Sequence, residues 1–358
     1  MARLGGLALC AALLLSCGAP AVGDGAAPAG EPRVRLKIQS AYPFAMPVLG
    51  EGVVYFRDTL DALPGHGIDL KVYDVDKLVK PLQIFDAVSA GKIDGGLSFS
   101  PYWLGKVPAA AIFGAVPFGP ETRDQLGWLY QGGGLELWRE IYARVNLVPV
   151  PCGALAPEAS GWFRRPIERV EDLVGLKVRY AGLGGKVLEK LGASVTQIPA
   201  GDLFVSLERG VLDATEYSMP VVDRNLGFQK VAKHYYFPGW HQPSSTMELM
   251  INKEVWEGLS AGQHAAIEAA CQATIVWQLA RGVSVQAEAL AAIEADGVTI
   301  HQWPPEILAA MRAANEELLA EMSAADSDFA RALASQRAYL EAQAPWSEIA
   351  YPPKASAE

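Results

Sequence analysis

Two charged residues, Arg179 and Glu216, stand where the chain pattern predicts a ligand site. Arg179 ends the β-prone run Leu176–Arg179, and the glycine-rich turn Ala181–Gly185 follows it. A turn that opens a helix presents backbone N–H groups and the positive end of the helix dipole, so an arginine there favours an anion such as a carboxylate. Glu216 follows the apolar run Val211–Thr215. A buried carboxylate needs a partner, and either a cation or a nearby arginine would serve.

Two polar residues in loops, Glu158 and Gln242, are further candidates. Glu158 precedes the aromatic segment Gly161-Trp162-Phe163, and Gln242 stands directly before Pro243. Each could be an ordinary solvated loop residue or a ligand-binding group, and the sequence leaves both open. If Glu158 and Glu216 met in the fold, they could act as a general acid/base pair. A periplasmic enzyme acting on a small organic acid is therefore the alternative to a binding protein.

The sequence motifs of common enzyme classes are absent. There is no nucleophile elbow, HExxH, CxxC pair or P-loop, and the 5 histidines show no metal-ligand spacing. The closest match to a dinucleotide-binding fingerprint, AGLGGK from Ala181, lacks the third spaced glycine and lies in the middle of the chain. The residues therefore offer little support for catalysis.

A repeated pattern indicates which elements position these residues. The pattern of Phe85–Ser98 recurs at a constant offset in Phe204–Tyr217. In each copy, apolar residues lead to a glycine that can end a helix, and a short β-prone run follows. Ligands of open α/β sheets gather at the carboxyl ends of strands, so the first copy leads to Tyr102 and the second to Glu216 at the binding space. The repeat predicts an α/β fold with two similar lobes across one cleft.

The length and charge of the chain limit its organisation and its partners. At 358 residues the chain is too long for one ordinary core and suits two domains. Its formal net charge of -10 argues against a nucleic-acid partner, because no basic stripe is available. We place a first lobe over residues 33–150, completed by about 243–290, and a second lobe over residues 151–242.

The first residues have the pattern of an export signal. Arg3 precedes an apolar run that is too short to span a bilayer, which predicts a signal peptide over residues 1–17 and a periplasmic protein. The string Leu14-Leu15-Ser16-Cys17 also resembles a lipobox, so Cys17 either carries a lipid anchor or leaves with the signal. Residues 18–32 are rich in Ala, Gly and Pro and predict a disordered tether.

Two cysteines, Cys152 and Cys271, remain in the predicted mature fold. An exported protein can form disulfides, but these residues fall in segments that are predicted to be different elements. We therefore expect two buried free thiols.

The longest periodic segment, Ser260–Ala295, predicts a helix long enough to span both lobes, within residues 258–297. Ser260 and Gln263 match a capping box. Apolar residues that recur every four positions are expected to form one face. They are Ile267, Cys271, Ile275, Leu279 and Val283.

A second helical region closes the chain, over residues 304–345, with a break predicted at Asp326–Asp328. An amphipathic helix this late in the chain either wraps its own lobes or docks on a partner. The residue pattern alone favours wrapping.

Several short motifs follow one another in a fixed order. They are PFG (117–119), GWF (161–163), DLVGLKVRYAGLGG (172–185), LERGVLDATE (207–216) and LGFQKVAKHYYFPGW (226–240). Together they resemble the extracytoplasmic solute-binding proteins of tripartite ATP-independent periplasmic (TRAP) transporters, the DctP-like family. Within that family the chain is most similar to the branch that binds 2-oxoacids and lactate. The resemblance covers nearly the whole mature chain.

The resemblance implies an α/β, periplasmic-binding-protein-like fold that closes on a small monocarboxylate and a metal ion. Such a protein is not an enzyme and delivers its carboxylate to the membrane permease. By position, Arg179 would bind the substrate carboxylate, and Tyr102 and Glu158 would hydrogen-bond the substrate. The implied metal ligands are Glu216, the main-chain oxygen of Tyr217, and Gln242. Members of this branch are dimers that exchange a C-terminal helix, which favours docking rather than wrapping for residues 304–345.

One departure from the family pattern concerns the ion. Relatives usually carry Gln or Asn at position 158, whereas this chain has Glu158 together with Gln242. Two carboxylates and a substrate anion carry three negative charges, and Arg179 carries one positive charge. A divalent ion would neutralise the difference, so calcium fits better than sodium. If Glu158 were protonated, sodium would also fit. Hard oxygen ligands argue against zinc or copper in either case.

Overall fold

The computed structural model describes residues 32–347 and 349–350. The predicted signal peptide, Cys17 and almost all of the predicted tether lie outside the described residues. The strands are β1 Val34–Ser40, β2 Ile68–Tyr73, β3 Gly95–Phe99, β4 Leu147–Leu155, β5 Gly161–Phe163, β6 Lys177–Arg179, β7 Ser194–Thr196, β8 Ala214–Thr215, β9 His234–Phe237, β10 Ser245–Asn252 and β11 Thr299–Gln302.

Helices surround these strands and form more of the chain than the strands do. They are α1 Leu49–Ala62, α2 Ile84–Ser89, α3 Ala110–Gly114, α4 Thr122–Gln131, α5 Gly134–Ala143, α6 Gly182–Lys190, α7 Ala200–Glu208, α8 Pro220–Asn225, α9 Lys253–Glu257, α10 Ala261–Ala295, α11 Pro305–Ala325 and α12 Ser327–Ser347. None of the helices within the described ranges combines the length and apolarity needed to cross a bilayer.

The strands form two sheets, one in each lobe. The first lobe has the order β2-β1-β3-β10-β4, with β10 antiparallel to both of its neighbours. The second lobe has the order β11-β9-β5-β8-β6-β7, with β6 parallel to β7 and β8. The predicted two-lobed α/β fold is confirmed. Because β4 stays in the first sheet as far as Leu155, the predicted boundary at residue 151 falls inside this strand.

The repeated pattern is a helix, a glycine turn and a strand in both lobes. Gly91 after α2 and Gly210 after α7 have φ angles of 68° and 71°, in the left-handed region that favours glycine. The aspartate shared by the two copies has the same role in each. Asp94 accepts the backbone N–H of Lys37 at 2.7 Å, and Asp213 accepts that of Lys177 at 3.0 Å. Each aspartate thereby ties its turn to the neighbouring strand.

The apolar periodicity from about Leu126 to Val145 predicts one helix, but this part of the chain forms two, α4 and α5. The break falls at Gly132–Gly133, where Gly133 has a φ of 81°. The apolar periodicity on both sides predicted one continuous helix, but the glycine turn interrupts it, and α4 and α5 pack against each other.

The long helix α10 begins as predicted, and its Ser260 side chain accepts the backbone N–H of Gln263. It packs against β4 and α1 of the first lobe and against α8 of the second. One predicted member of its buried face is wrong, because Val283 is 68% exposed. A spacing of four residues advances about 40° beyond a full turn at each step, so four steps rotate Val283 away from Ile267.

The C-terminal helices α11 and α12 meet at Asp326, within the predicted break. Helix α11 packs against α6 and the 3₁₀ segment Val170–Leu173 of the second lobe. Helix α12 packs against α3, α4 and α5 of the first lobe. In the described chain both helices therefore wrap their own lobes.

The prediction of two free thiols is wrong. Cys152 on β4 and Cys271 on α10 form a disulfide, and their Cα atoms lie 4.2 Å apart. The two residues do belong to different elements, but α10 packs directly against β4. Direct contact between the elements brings the two Cβ atoms within bonding reach.

Candidate functional site

Arg179 and Glu216 come together because their strands are neighbours. In the register of β6 and β8, Arg179 pairs with Thr215, and the backbone N–H of Glu216 donates to the Arg179 carbonyl at 3.0 Å. The Arg179 Nη1 donates to the Glu216 carbonyl oxygen at 2.6 Å and to its Oε2 at 3.0 Å. Both side chains are almost completely buried. The two residues therefore form one buried, charge-assisted unit at the strand ends.

The environment of Glu216 favours its ionised form. Burial raises the pKa of Glu216, but Arg179, His241 and the backbone N–H of Ala181 lower it further than burial raises it. The Ala181 N–H, at the start of α6, donates to Glu216 Oε2 at 3.3 Å. The helix N-terminus that the sequence predicted for an anion thus supports this carboxylate.

The other predicted site residues lie around the same cavity. Its lining includes Tyr102, Glu158, Tyr217 and Gln242 as well as Arg179 and Glu216. The cavity that they enclose measures about 10 Å³, which is the order of one water molecule. The cleft between the lobes is therefore closed in this structure.

Glu158 is buried among hydroxyls and acids. Its Oε1 accepts from the hydroxyls of Ser218 at 3.4 Å and Ser245 at 3.3 Å. Burial, followed by the charges of Glu216 and Asp223, raises the pKa of Glu158 well above its ordinary value. A cation beside this carboxyl would stabilise its ionised form.

Four buried polar atoms of the site lack a hydrogen-bond partner among the described residues. They belong to Glu158 (Oε2), Arg179 (Nε), His241 (Nε2) and Gln242 (Oε1). Buried polar groups are normally paired. Unpaired oxygens suit a hard cation, and an unpaired guanidinium N–H suits an anion. The residues present therefore fit a site that holds both a metal ion and a carboxylate.

His241 is a site residue that the sequence reasoning missed. Potential ligand atoms of Glu158, Glu216 and His241 lie within 4.8 Å of one another. The Tyr180 hydroxyl lies 3.2 Å from His241 Nδ1 and 2.8 Å from the Ser160 carbonyl oxygen, to which it donates. His241 Nδ1 thus lies against the Tyr180 oxygen, and Nε2 lies 3.7 Å from Glu216 Oε1. In the sequence, only the position of His241 next to Gln242 could have indicated that it belongs to the site.

A further buried carboxyl, that of Glu248, lies against Trp103. Glu248 on β10 is fully buried and accepts the indole N–H of Trp103 at 2.6 Å. Burial raises the pKa of Glu248 to about 8, although the hydrogen bond from Trp103 lowers it. The carboxyl is therefore mostly neutral at pH 7.

Replacing Glu248 with glutamine should flatten the pH dependence of stability. Between the ordinary pKa of 4.5 and the folded value of about 8, the folded chain keeps a proton that the unfolded chain has released. The free energy of unfolding therefore falls as pH rises through this window and levels off above it. Melting temperatures from pH 5 to 9 should fall less steeply for Glu248→Gln than for the unchanged protein. The surface control Glu254→Gln should keep the original slope, and an equal slope in both variants would contradict the role of Glu248.

Taken together, the fold and the site define a two-lobed binding protein with an anion clamp and a cation site in its cleft. Residues 45–326 match the family model for bacterial extracellular solute-binding protein, family 7. The chain belongs to this family, which comprises the DctP-like receptors of TRAP transporters.

Relatives and solved structures of this family are similar over most of the chain. A monocarboxylate 2-oxoacid-binding periplasmic protein of Nostoc sp. is 32% identical over 90% of this chain and 88% of its own. A TRAP solute-binding protein from Bordetella bronchiseptica, with calcium and picolinate in one active site, is 33% identical, with a TM-score of 0.87 over 89% of this chain and 95% of its own.

Two further solved structures contain pyruvate. The protein from Colwellia psychrerythraea, with calcium and pyruvate, is 32% identical, with a TM-score of 0.84 over 88% of this chain and 97% of its own. The protein from Pseudoalteromonas atlantica, with sodium and pyruvate, is 32% identical, with a TM-score of 0.85 over 89% of this chain and 97% of its own.

Membership of this family decides the class of function. The chain is the solute-binding component of a TRAP transporter, and components of this kind are not enzymes. The alternative of an enzyme with Glu158 and Glu216 as an acid/base pair receives no support. Family members are periplasmic and work with membrane permease subunits.

Proposed function

We propose that this protein binds a small 2-oxo or 2-hydroxy monocarboxylate, such as pyruvate or lactate, together with a metal ion, and delivers it to the permease. The observation that carries the proposal is the closed cleft, in which Arg179 Nε and the oxygens of Glu158 and Gln242 are buried without partners. The pyruvate in two relatives and the 2-oxoacid named for a third support the same ligand class.

Each site residue has a proposed role. Arg179 binds the substrate carboxylate, and Tyr102 and Glu158 hydrogen-bond the substrate. Burial raises the pKa of Tyr102, while the charge of Arg179 lowers it, which is consistent with a phenol facing the guanidinium. The metal ligands are Glu216, the main-chain oxygen of Tyr217, and Gln242. The ion supplies positive charge that both the substrate oxygens and the protein oxygens can share.

Calcium is the proposed ion. Ionised Glu158 and Glu216 and a substrate anion carry three negative charges against one on Arg179, and a divalent ion balances them. The choice of calcium requires an ionised Glu158. Without a cation, burial and the charge of Glu216 raise the pKa of Glu158 and favour its neutral form. A divalent ion nearby outweighs these two effects more readily than a monovalent one.

Cleft closure supplies much of the proposed affinity. A pyruvate-sized ligand has about six heavy atoms, and micromolar binding needs about 8.2 kcal/mol, close to the ceiling of roughly 1.5 kcal/mol per atom for very small ligands. One hydrogen bond from an arginine to the carboxylate supplies about 1.5–3 kcal/mol. Metal coordination and exclusion of water must supply the rest of the binding free energy. Both depend on closure, so the ligand shifts the equilibrium between open and closed conformations toward the closed one.

Removing the metal should weaken pyruvate binding by about 100-fold, because a few charge-assisted contacts are lost at once. Titration calorimetry in potassium buffer would compare chelated protein with protein returned to calcium or to sodium. Calcium should restore full affinity, and sodium should restore less. Full affinity after removal of both ions would contradict the metal site, and equal restoration by sodium would contradict the choice of calcium.

We further propose that the protein is exported by its N-terminal signal and forms a homodimer through the exposed faces of its C-terminal helices, whose other faces pack on the lobes of their own chain. The dimer is supported by one relative, the Bordetella bronchiseptica protein, whose crystal contains a mixed occupancy dimer. Light scattering on the purified protein tests this, and a monomeric mass at micromolar concentration would contradict it.

A further inference from the structure

The cavity contains a tyrosine that the proposed function does not use. Tyr42 follows β1 and belongs to the first lobe, and its side chain is only 4% exposed. Its backbone is held by Ser40, whose hydroxyl accepts the Tyr42 N–H at 3.0 Å and donates to the Tyr42 carbonyl oxygen at 2.7 Å. Local hydrogen bonds therefore present this ring to the cleft at the carboxyl end of a strand.

The hydroxyl of Tyr42 has a poor partner. Among the described residues its hydrogen bond goes to the thioether sulfur of Met247, at 3.2 Å. Sulfur in a thioether is a weak acceptor. A buried O–H donor that is matched only by a weak acceptor is available for a stronger one, such as an oxygen of a bound ligand.

The position of Tyr42 is complementary to that of Arg179. Arg179 and Glu216 belong to the second lobe, whereas Tyr42, Leu49 and Met247 line the cavity from the first. A carboxylate bound by Arg179 would present its remaining oxygens and its side chain to this first-lobe wall. Contact with Tyr42 would then form only when the lobes close.

The charge of the cavity limits the ligand further. Among the residues that line it, all within the described part of the chain, Arg179 is the only arginine or lysine. A second carboxylate on the ligand, on the side away from Arg179 and the proposed ion, would therefore face the apolar side chains of Leu49, Phe99, Leu155 and Met247, none of which can pair with its charge. Methionine is unbranched and flexible, so Met247 is the part of this wall that can adjust to an apolar side chain.

Resting on the proposed function, we propose that Tyr42 is a substrate-binding residue. Its hydroxyl leaves Met247 and donates to a ligand oxygen when a ligand occupies the closed cleft. Met247 forms the adjustable wall for the ligand side chain. Within the proposed monocarboxylate class, the ligand is accordingly one whose short apolar side chain lies against Met247, and a second carboxylate is disfavoured.

The test measures dissociation constants of pyruvate, 2-oxopentanoate and 2-oxoglutarate by calorimetry, in saturating calcium. Tyr42→Phe should weaken the binding of pyruvate and of 2-oxopentanoate by about tenfold, because one hydrogen bond to a charged oxygen is lost. Its ligand-free melting temperature should stay unchanged, because the lost partner is only a sulfur. Met247→Ala should increase the affinity for 2-oxopentanoate relative to that for pyruvate by about tenfold, because the smaller side chain leaves room for the longer ligand. The control Tyr55→Phe, whose ring stacks on Trp277 and does not line the cavity, should change none of these values.

Unchanged pyruvate affinity in Tyr42→Phe would overturn the role of Tyr42. Tight binding of 2-oxoglutarate by the unchanged protein would overturn the substrate class. Both outcomes can be distinguished from failure of the proposed function. In that case the unchanged protein would bind neither pyruvate nor 2-oxopentanoate.

Discussion

Replacing Arg179 with methionine is expected to weaken pyruvate binding by about 1000-fold, or roughly 4 kcal/mol. Methionine keeps an unbranched apolar chain but removes every N–H donor and the charge. The guanidinium is almost fully buried, so solvent screening is small and the loss is large. Calorimetry in saturating calcium gives the affinity, and the ligand-induced rise in melting temperature should disappear with it.

Arg179 also pairs with Glu216, so the variant needs a control that separates ligand binding from folding. Breaking a buried ion pair leaves an uncompensated charge, at a cost of about 3–5 kcal/mol. In the double variant Arg179→Met/Glu216→Gln the buried charge is gone, so stability should recover while affinity should not. The surface control Arg165→Met should retain full affinity. Micromolar binding by Arg179→Met would refute the anion clamp.

The central pair of the site could be predicted because its signals are local. The glycine turn after Arg179 and the repeated helix–glycine–strand unit before Glu216 are both readable in short windows of sequence. The repeat also predicts that each copy delivers its last residues to the cleft. In the structure β6 and β8 are neighbours, which places the two residues in contact.

Other parts of the site depend on contacts between distant segments. Tyr42 and Met247 meet across the first-lobe sheet, and no spacing in the sequence links them. His241 becomes part of the site because Tyr180 orients its ring, which is likewise a contact between separate loops. Periodicity predicts which side of a helix is buried over two or three turns. Over longer distances the drift accumulates, as Val283 shows.

The disulfide was missed for a related reason, and its removal is the second large expected effect. Cys152 and Cys271 are separated by 119 residues. Closing a loop of this size restricts the unfolded chain, so loss of the bond should lower the free energy of unfolding by about 4–5 kcal/mol. Urea unfolding of Cys152→Ser/Cys271→Ser, followed by fluorescence, gives this difference.

The disulfide lies away from the ligand site, so its removal should change stability without changing affinity. It joins β4 to α10, and neither cysteine lines the cavity. At low temperature the double variant should therefore bind pyruvate with unchanged affinity while it unfolds at lower urea. Each single variant should match the double one, because either substitution breaks the bond. A reducing agent should destabilise the unchanged protein to the same level and leave the double variant unaffected. If reduction left the unfolding midpoint of the unchanged protein where it was, the two cysteines would be free thiols in solution, as the separation of their elements in the sequence first indicated.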